Sequence, residues 1–446
     1  MAYDRPVGDA SAPLLTPAIL QEVWLTLTPQ ERLERFHRLH WADAEVFFLS
    51  LSTHDQAEVI RGLPRSEQRL WMRLLAPDDA ADVIQEAPPE ERDGLLALLA
   101  EPIQGEVMGL LAYDEEEAGG LMNPRFAHVR PEMRSQEALA ALRQQAKKSL
   151  DMPYYIYVLD REQRLLGVVS FRELFMASTE ASVRDLMQAE VISVAEDQDQ
   201  ESVAAVIAQH DFLAVPVVDQ VGRIKGIVTV DDVMDVVREE ATEDIQKLAG
   251  MQAFDMPYLR TGFGPLLKKR AGWLMVLFLG EMLTATAMGY FEDEIARAVV
   301  LALFVPLIIS SGGNAGSQAA TLVVRAMALG EVRLRDWWRV LRRELGAGLA
   351  LGAVLGSIGM LRMTVWQLLF HPYGEHWIWV ALTVGLALVG VVLWGTLSGS
   401  MLPFMMQKFG VDPAASSAPF VATLVDVTGL VIYFTVASVM LRGSLL

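Results

Sequence analysis

Residues 422–434 read ATLVDVTGLVIYF, an apolar run broken once by a carboxylate, Asp426, with Thr423, Thr428 and Gly429 around it. A charge at mid-bilayer depth costs roughly 2.5–3.5 kcal/mol on insertion scales, so such groups face a water-filled cavity or a partner. The run is therefore expected to cross a membrane with Asp426 lining a pathway, against the alternative of a structural carboxylate bonded to a neighbouring helix. Working outward, apolar stretches of bilayer length lie near 271–291, 295–325, 340–361, 377–406 and, around the quoted run, 418–441. Five spans put the two termini on opposite sides. Lys268, Lys269 and Arg270 precede the first span, and Arg333, Arg335, Arg339, Arg342 and Arg343 fall between the second and third, whereas residues 291–294 form the acidic loop FEDE. Basic residues mark the cytoplasmic side, so the N-terminus is expected in the cytoplasm.

Charge is divided unevenly along the 446 residues. Apolar residues make up 52% of the chain and mean hydropathy is +0.29, yet the net charge is −19 and the pI about 4.8. From Gln246 onward there are 15 basic and 11 acidic residues, whereas residues 1–245 carry 22 basic and 45 acidic groups. That excess argues against nucleic acid and anionic lipid headgroups as partners of the soluble part, and makes cations its natural counter-species. The chain has no Cys, which excludes disulfides, thiolate metal sites and Cys nucleophiles. Residues 1–15 lack a basic region followed by an apolar one, so no cleaved signal peptide is expected.

Two internal repeats organise the soluble part. Ala57-Glu58-Val59-Ile60 recurs 24 residues later as Ala81-Asp82-Val83-Ile84, and Pro64 and Glu67 recur as Pro88 and Glu91. Short amphipathic segments at that period predict a helix-pair solenoid, an all-α helical-repeat N domain over 1–117. Farther on, Tyr155–Asp160, Arg164–Ser170 and Glu173-Leu174 return 59 residues later as Ala214–Asp219, Arg223–Thr229 and Asp232-Val233. Leu121-Met122 and Val129 return 65 residues later as Leu186-Met187 and Val194, which places a six-residue insertion near Lys147–Pro153. This is a duplicated β-α-β-β-α pattern. It resembles a tandem pair of CBS domains, 118–182 and 183–240, which implies an adenine-nucleotide cleft or a metal-linked interface. Tyr155 and Tyr157 are candidate base-facing aromatics, although patterning favours a core role. A connecting helix and linker, 241–264, with Pro257, Gly262 and Gly264, lead to the transmembrane domain, 265–446.

The second span contains SSGGNAGSQAATLVVRA, residues 310–326. Gly312, Gly313 and Gly316 let helices approach closely or open backbone carbonyls towards a cavity. Asn314 and Gln318 are candidate pore-lining amides. No basic residue lies deep in any span, since Arg325, Arg362 and Arg442 fall at predicted ends. A pathway lined by carboxylate, amides and hydroxyls favours cations, and oxygen donors without Cys or membrane-embedded His favour a hard ion such as Mg2+.

Taken with Asp114–Met122 (DEEEAGGLM), GIVTVDDVMDV at 226–236, EEATEDIQKL at 239–248 and GVDPA at 410–414, these motifs closely resemble the MgtE magnesium channels over about residues 50–441. The resemblance implies a multi-domain protein: helical N domain, α/β tandem CBS pair, connecting (plug) helix and five-helix all-α membrane domain. It implies a homodimer in a bacterial inner membrane, with a pore on the two-fold axis between the fifth and second spans. Asp426 of both subunits would hold hydrated Mg2+, helped by the carbonyl of Ala422, with Thr423, Asn314 and Gln318 lining the path. It further implies a gate closed by cytosolic Mg2+, and assigns the sensing carboxylates by motif. These are Glu58, Asp78 and Asp82 in the helical domain, Asp199, Glu201, Asp211, Asp232 and Asp235 in the CBS pair, Glu240, Glu243 and Asp244 on the connecting helix, and Asp412 before the fifth span. ATP at the CBS pair is a second ligand the family suggests. Glu281, in LFLGEMLTATAMGY, is an acid where the family resemblance gives no reason to expect one; a peripheral helper site and a place near the outer face both stay open. No Walker loop, HExxH or G-x-S-x-G motif is present, and no catalytic reaction is expected. Transport of Co2+ or Mn2+, and a membrane-anchored Mg2+ sensor that transports nothing, remain alternatives at this point.

Overall fold

Alternating Pro-initiated turns and short amphipathic segments fold residues 16–110 into a helical stack. A computed structural model describes residues 16–147, 154–254, 256 and 258–442. The insertion near 147–153, Pro257 and the first fifteen residues therefore lie wholly or mostly outside the described residues. The stack comprises α1 (Pro17–Val23), α2 (Pro29–Arg38), α3 (Trp41–Leu49), α4 (Thr53–Gly62), α5 (Arg65–Met72), α6 (Pro77–Gln85), α7 (Pro89–Leu96) and α8 (Glu101–Leu110). The pair α4–α5 repeats as α6–α7 with the period seen in the sequence. Ser52 caps α4, accepting from the Asp55 amide, and Thr28 forms a capping box with Glu31 on α2; such caps satisfy amides that a short helix otherwise leaves bare.

The next region is the expected duplicate. The first copy is α9 (Ala118–Leu121), β1 (His128–Val129), α10 (Ser135–Ala146), β2 (Tyr155–Leu159), β3 (Leu165–Ser170) and α11 (Phe171–Met176). The second is α12 (Val183–Leu186), β4 (Val194–Ala195), α13 (Gln200–His210), β5 (Ala214–Val218), β6 (Ile224–Thr229) and α14 (Val230–Leu248). Each copy has a three-stranded sheet, parallel between its first two strands and antiparallel between its last two. The copies exchange equivalent bonds. Asn123 and Ile227 each donate an amide to the other's carbonyl, as do Gln188 and Val168, pairs that match at the repeat offsets of 65 and 59. Their seam holds Tyr157, Leu159 and Ile224. The helical stack shares one apolar core with the second copy, through Val194, Val203, Val215 and Val228, whereas the first copy has its own.

Residues 1–240 and 241–446 form two compact units, and the boundary falls inside α14. That helix runs unbroken through residue 240, where the sequence pattern suggested the CBS pair would end. Its 19 residues contain neither Gly nor Pro, so nothing local interrupts it.

The second unit has five helices long and apolar enough to cross a membrane, among the described residues. They are α15 (Phe263–Tyr290); α17 (Val299–Ala302) with α18 (Val305–Ala328); α19 (Trp337–Phe370); α20 (Trp377–Lys408); and α21 (Ala418–Met440), with the short α16 (Glu292–Arg297) after the first. Several run past the apolar windows, because Lys and Arg are good helix formers and extend the helix beyond the hydrocarbon. Helix α20 is central: α18, α19 and α21 pack on it, while α15 packs on α21.

Glycine makes the closest approach possible. A Cβ on Gly395 would lie 2.3 Å from the Gly312 carbonyl oxygen, and one on Gly399 2.0 Å from that of Gly316. Gly312 and Gly316 of α18 thus belong to a seam with Gly395 and Gly399 of α20, the small-residue packing expected where helices have no hydrophobic drive to associate.

Candidate functional site

The membrane site is built around α21. Ser417 caps this helix, accepting from the Phe420 amide, and the helix then presents Ala422 and Asp426 one turn apart on one half-buried face. Gly313 of α18 meets that face. A Cβ there would lie 3.4 Å from the Ala422 Cβ and 3.5 Å from Asp426 Oδ1. Gly313 therefore differs from its neighbours: it leaves room beside the carboxylate instead of closing the α18–α20 seam. On the other flank, α15 brings Glu281 into contact with Asp426. Thr423 turns its methyl group towards Gly280 of α15, and the Thr428 hydroxyl accepts from Trp394 Nε1 at 2.7 Å.

Asn314 and Gln318 do not join Asp426 in that groove. They lie on the exposed face of α18, where Asn314 Nδ2 donates to Ser310 Oγ at 3.5 Å. Ser317, Gln318 and Thr321 line a shallow cavity of about 410 Å³ on the same side. With Ser310, these residues recur every three to four positions and form a polar stripe on a membrane-crossing helix. The helical period in 310–321 was the available signal for the whole stripe; the amides alone do not mark its length.

In the soluble unit, three of the expected acids crowd together. Asp78 is buried (8% exposed) and accepts from Asn123 Nδ2 at 3.2 Å. Burial, with the charges of Asp232 and Asp79, pushes its carboxyl up to about 7. Burial and then the Asp78 charge push Asp82 up to about 8. Asp232 caps α14 with Thr229, whose hydroxyl donates to it at 2.5 Å, yet burial still pushes it up to about 6. Like charges gathered out of water raise one another's proton affinity, and a bound cation would relieve all three.

The remaining expected acids have other engagements. Glu58 accepts from the buried Arg32 guanidinium, which also faces Asp55 at 3.8 Å. In this structure the cation beside Glu58 is the Arg32 guanidinium. Asp199 caps α13, accepting from the Glu201 amide at 2.9 Å, and Glu201 lies in that first turn. Asp211 is the left-handed C-cap of the same helix. Asp235 pairs with Arg238 at 3.5 Å on the exposed face of α14. Gln200 Nε2 donates to Glu240 at 2.6 Å, and Asp244 follows one turn later.

Lys247 Nζ lies 2.6 Å from both Glu243 and Asp412, joining the end of α14 to the loop before α21. Burial alone would lower the lysine, but its hydrogen bonds to Asp412 and Glu243 outweigh that and hold it above its ordinary range. The lysine stands in EEATEDIQKL, but its partner is 165 residues away and no local pattern names it. Among the described residues, no three His, Asp or Glu side chains converge closely enough to ligate a metal ion directly. Tyr157 is 1% exposed in the seam between the repeats, a core residue as patterning favoured.

Known proteins resemble the chain along its length. A family profile described as divalent cation transporter matches residues 305–436, one described as the MgtE intracellular N domain matches 15–116, and CBS profiles match 118–180 and 183–239. The chain is 43% identical to a magnesium transporter MgtE of Thermus thermophilus over 346 residues, 78% of this chain and 75% of that protein. It is 36% identical to one from Enterococcus faecalis, over 76% of this chain and 72% of the relative. Among solved structures, the cytosolic domain of the Mg2+ channel MgtE in complex with ATP matches at 40% identity, with a TM-score of 0.46, over 50% of this chain and 90% of that one.

Proposed function

Because this chain belongs to the MgtE family of divalent cation transporters, a family of magnesium transporters and not of enzymes, we propose that it is a Mg2+-selective channel closed by cytosolic Mg2+. The observation that carries the reading is Asp426, a carboxylate inside a membrane helix, two turns from its start, half-buried beside a glycine that leaves space next to it. Mg2+ gives up its water reluctantly, so a wide site that hydrogen-bonds the hydrated ion is less costly than a tight cage. Asp426 and the carbonyl of Ala422 would hold that shell.

The polar stripe Ser310, Asn314, Gln318 and Thr321 supports a homodimer. Facing lipid, these groups would lose hydrogen bonds; facing their two-fold copies, they line a wet path. The pore then lies between α18 and α21 of the two protomers, in a bacterial inner membrane with the N-terminus cytoplasmic, as the basic residues before the first span favour.

Gating rests on the acids of the soluble unit. Asp78, Asp82 and Asp232 repel when bare, and Mg2+ held between them through its waters would draw the helical stack and α14 together. Asp199, Glu201, Asp211, Asp235 and Glu240 are further proposed sensing acids of that unit; in the second unit they are Glu243, Asp244 and Asp412, where Lys247 already bridges Glu243 and Asp412. ATP is a second proposed ligand of the CBS pair, at surfaces other than buried Tyr157; equilibrium dialysis with labelled ATP would test it.

The decisive experiment is Mg2+ influx into proteoliposomes with wild type and Asp426→Ala in parallel. Wild-type influx with none in the variant is the expected result. Equal influx in both would remove Asp426 from the path, and no influx in either, with folded dimeric protein, would favour a sensor that does not transport.

A further inference from the structure

One acid has no part in the reading above. Glu281 is the only charged residue of α15 between Ala271 and Tyr290. It is ten residues from the start of that stretch and nine from its end, about 15 Å of helix either way, farther than its side chain can reach to water at the membrane surface.

Three contacts fix how α15 lies on α21. Trp273 Nε1 donates to Ser417 Oγ at 3.1 Å, Gly280 faces Thr423, where a Cβ would lie only 2.7 Å from its methyl carbon, and the Phe291 ring stacks on Phe434 at 5.2 Å. The residue numbers rise together, so the helices are parallel and Glu281 stands level with Asp426. The two carboxyl groups touch. One turn on, Thr284 Oγ1 is buried and has no hydrogen-bond partner among the described groups.

We infer that Glu281 is a second cation-holding carboxylate of the Asp426 site, so that each protomer offers the permeating ion two acids. The inference rests on the reading of Asp426 as the ion site. Of the neighbouring helices, α21 has no basic side chain and α18 has only Arg325, in its last turn, so neither supplies a cation to neutralise the pair. Two carboxylates in contact and out of bulk water repel, and a divalent cation between them and its waters reverses the sign of that interaction. Gly280 allows the close approach of α15 that brings Glu281 to the site. Within each protomer the pair carries two negative charges, and a divalent ion beside it offsets that charge better than a monovalent one does.

The test uses full-length protein in proteoliposomes, comparing wild type with Glu281→Gln, Glu281→Asp and Asp426→Asn for Mg2+ influx and for Na+ conduction without Mg2+. Glu281→Gln is expected to raise half-saturating Mg2+ about tenfold, the scale of losing one charge within about 4–6 Å, and to increase Na+ conduction. Glu281→Asp, which keeps the charge, should recover most of the affinity and confirms that a fold defect is not the cause. Unchanged half-saturation and Na+ exclusion in Glu281→Gln, with influx lost in Asp426→Asn, would overturn the inference while leaving Asp426 in place. Wild-type behaviour in Asp426→Asn as well would overturn the pore reading itself.

Discussion

A single glycine's role in this membrane unit depends on which helix it meets. Gly313 borders the Asp426 carboxylate, whereas Gly399 lies so close to α18 that an added Cβ would overlap the Gly316 carbonyl oxygen. Gly399→Ala should therefore separate α18 from α20 and destabilise the unit by about 1–3 kcal/mol or more, the usual cost of overpacking. Thermal unfolding in detergent reads this directly. Gly346→Ala is the control: a Cβ there meets nothing within 4 Å, and replacing a helical glycine should leave the melting temperature unchanged or slightly raised.

At the scale of elements, α14 is the covalent route between the soluble and membrane units. Its first turn holds Asp232 of the crowded acidic group and its last turn Lys247, bound to Asp412. A rigid helix transmits a displacement that a broken one absorbs. Ala241→Pro removes one internal hydrogen bond and clashes with the preceding turn, costing about 3 kcal/mol locally. The expected outcome is a channel that still conducts but no longer closes when Mg2+ is raised on the cytosolic side, measured as flux against internal Mg2+. Retained closure would show that α14 need not be continuous for gating.

For the whole molecule, the burial of Asp78, Asp82 and Asp232 beside one another sets how stability follows pH. Asp78, Asp82 and Asp232 titrate near 7, 8 and 6 in the folded chain, above the ordinary 3.8. Between these limits the folded state binds more protons than the unfolded one, so unfolding becomes easier as pH rises. In Mg2+-free buffer the soluble unit should melt several degrees lower at pH 8.5 than at pH 6. Added Mg2+ should restore it more at pH 8.5, and more than NaCl of equal ionic strength, because screening alone does not bridge buried acids. Asp82→Asn should flatten the pH dependence; an unaltered slope would mean that the crowded acids do not control it.

Chain order, repeats and apolar length determined most of the architecture. The 24-residue helical period, the duplicated strand pattern and five bilayer-length runs are local regularities, and local regularities survive in a one-dimensional reading. Asp426 was legible for the same reason: a lone carboxylate in an apolar run is costly wherever the helix goes. Only the tertiary structure decided which acids face one another. Glu58 and Asp82 match in their repeats, yet a buried arginine from α2 neutralises one and other carboxylates crowd the other. Glu281 meets Asp426 across 145 residues of chain, and Lys247 meets Asp412 across 165. Electrostatic partnership depends on distance and burial in space, and neither is encoded in the spacing of residues along the chain.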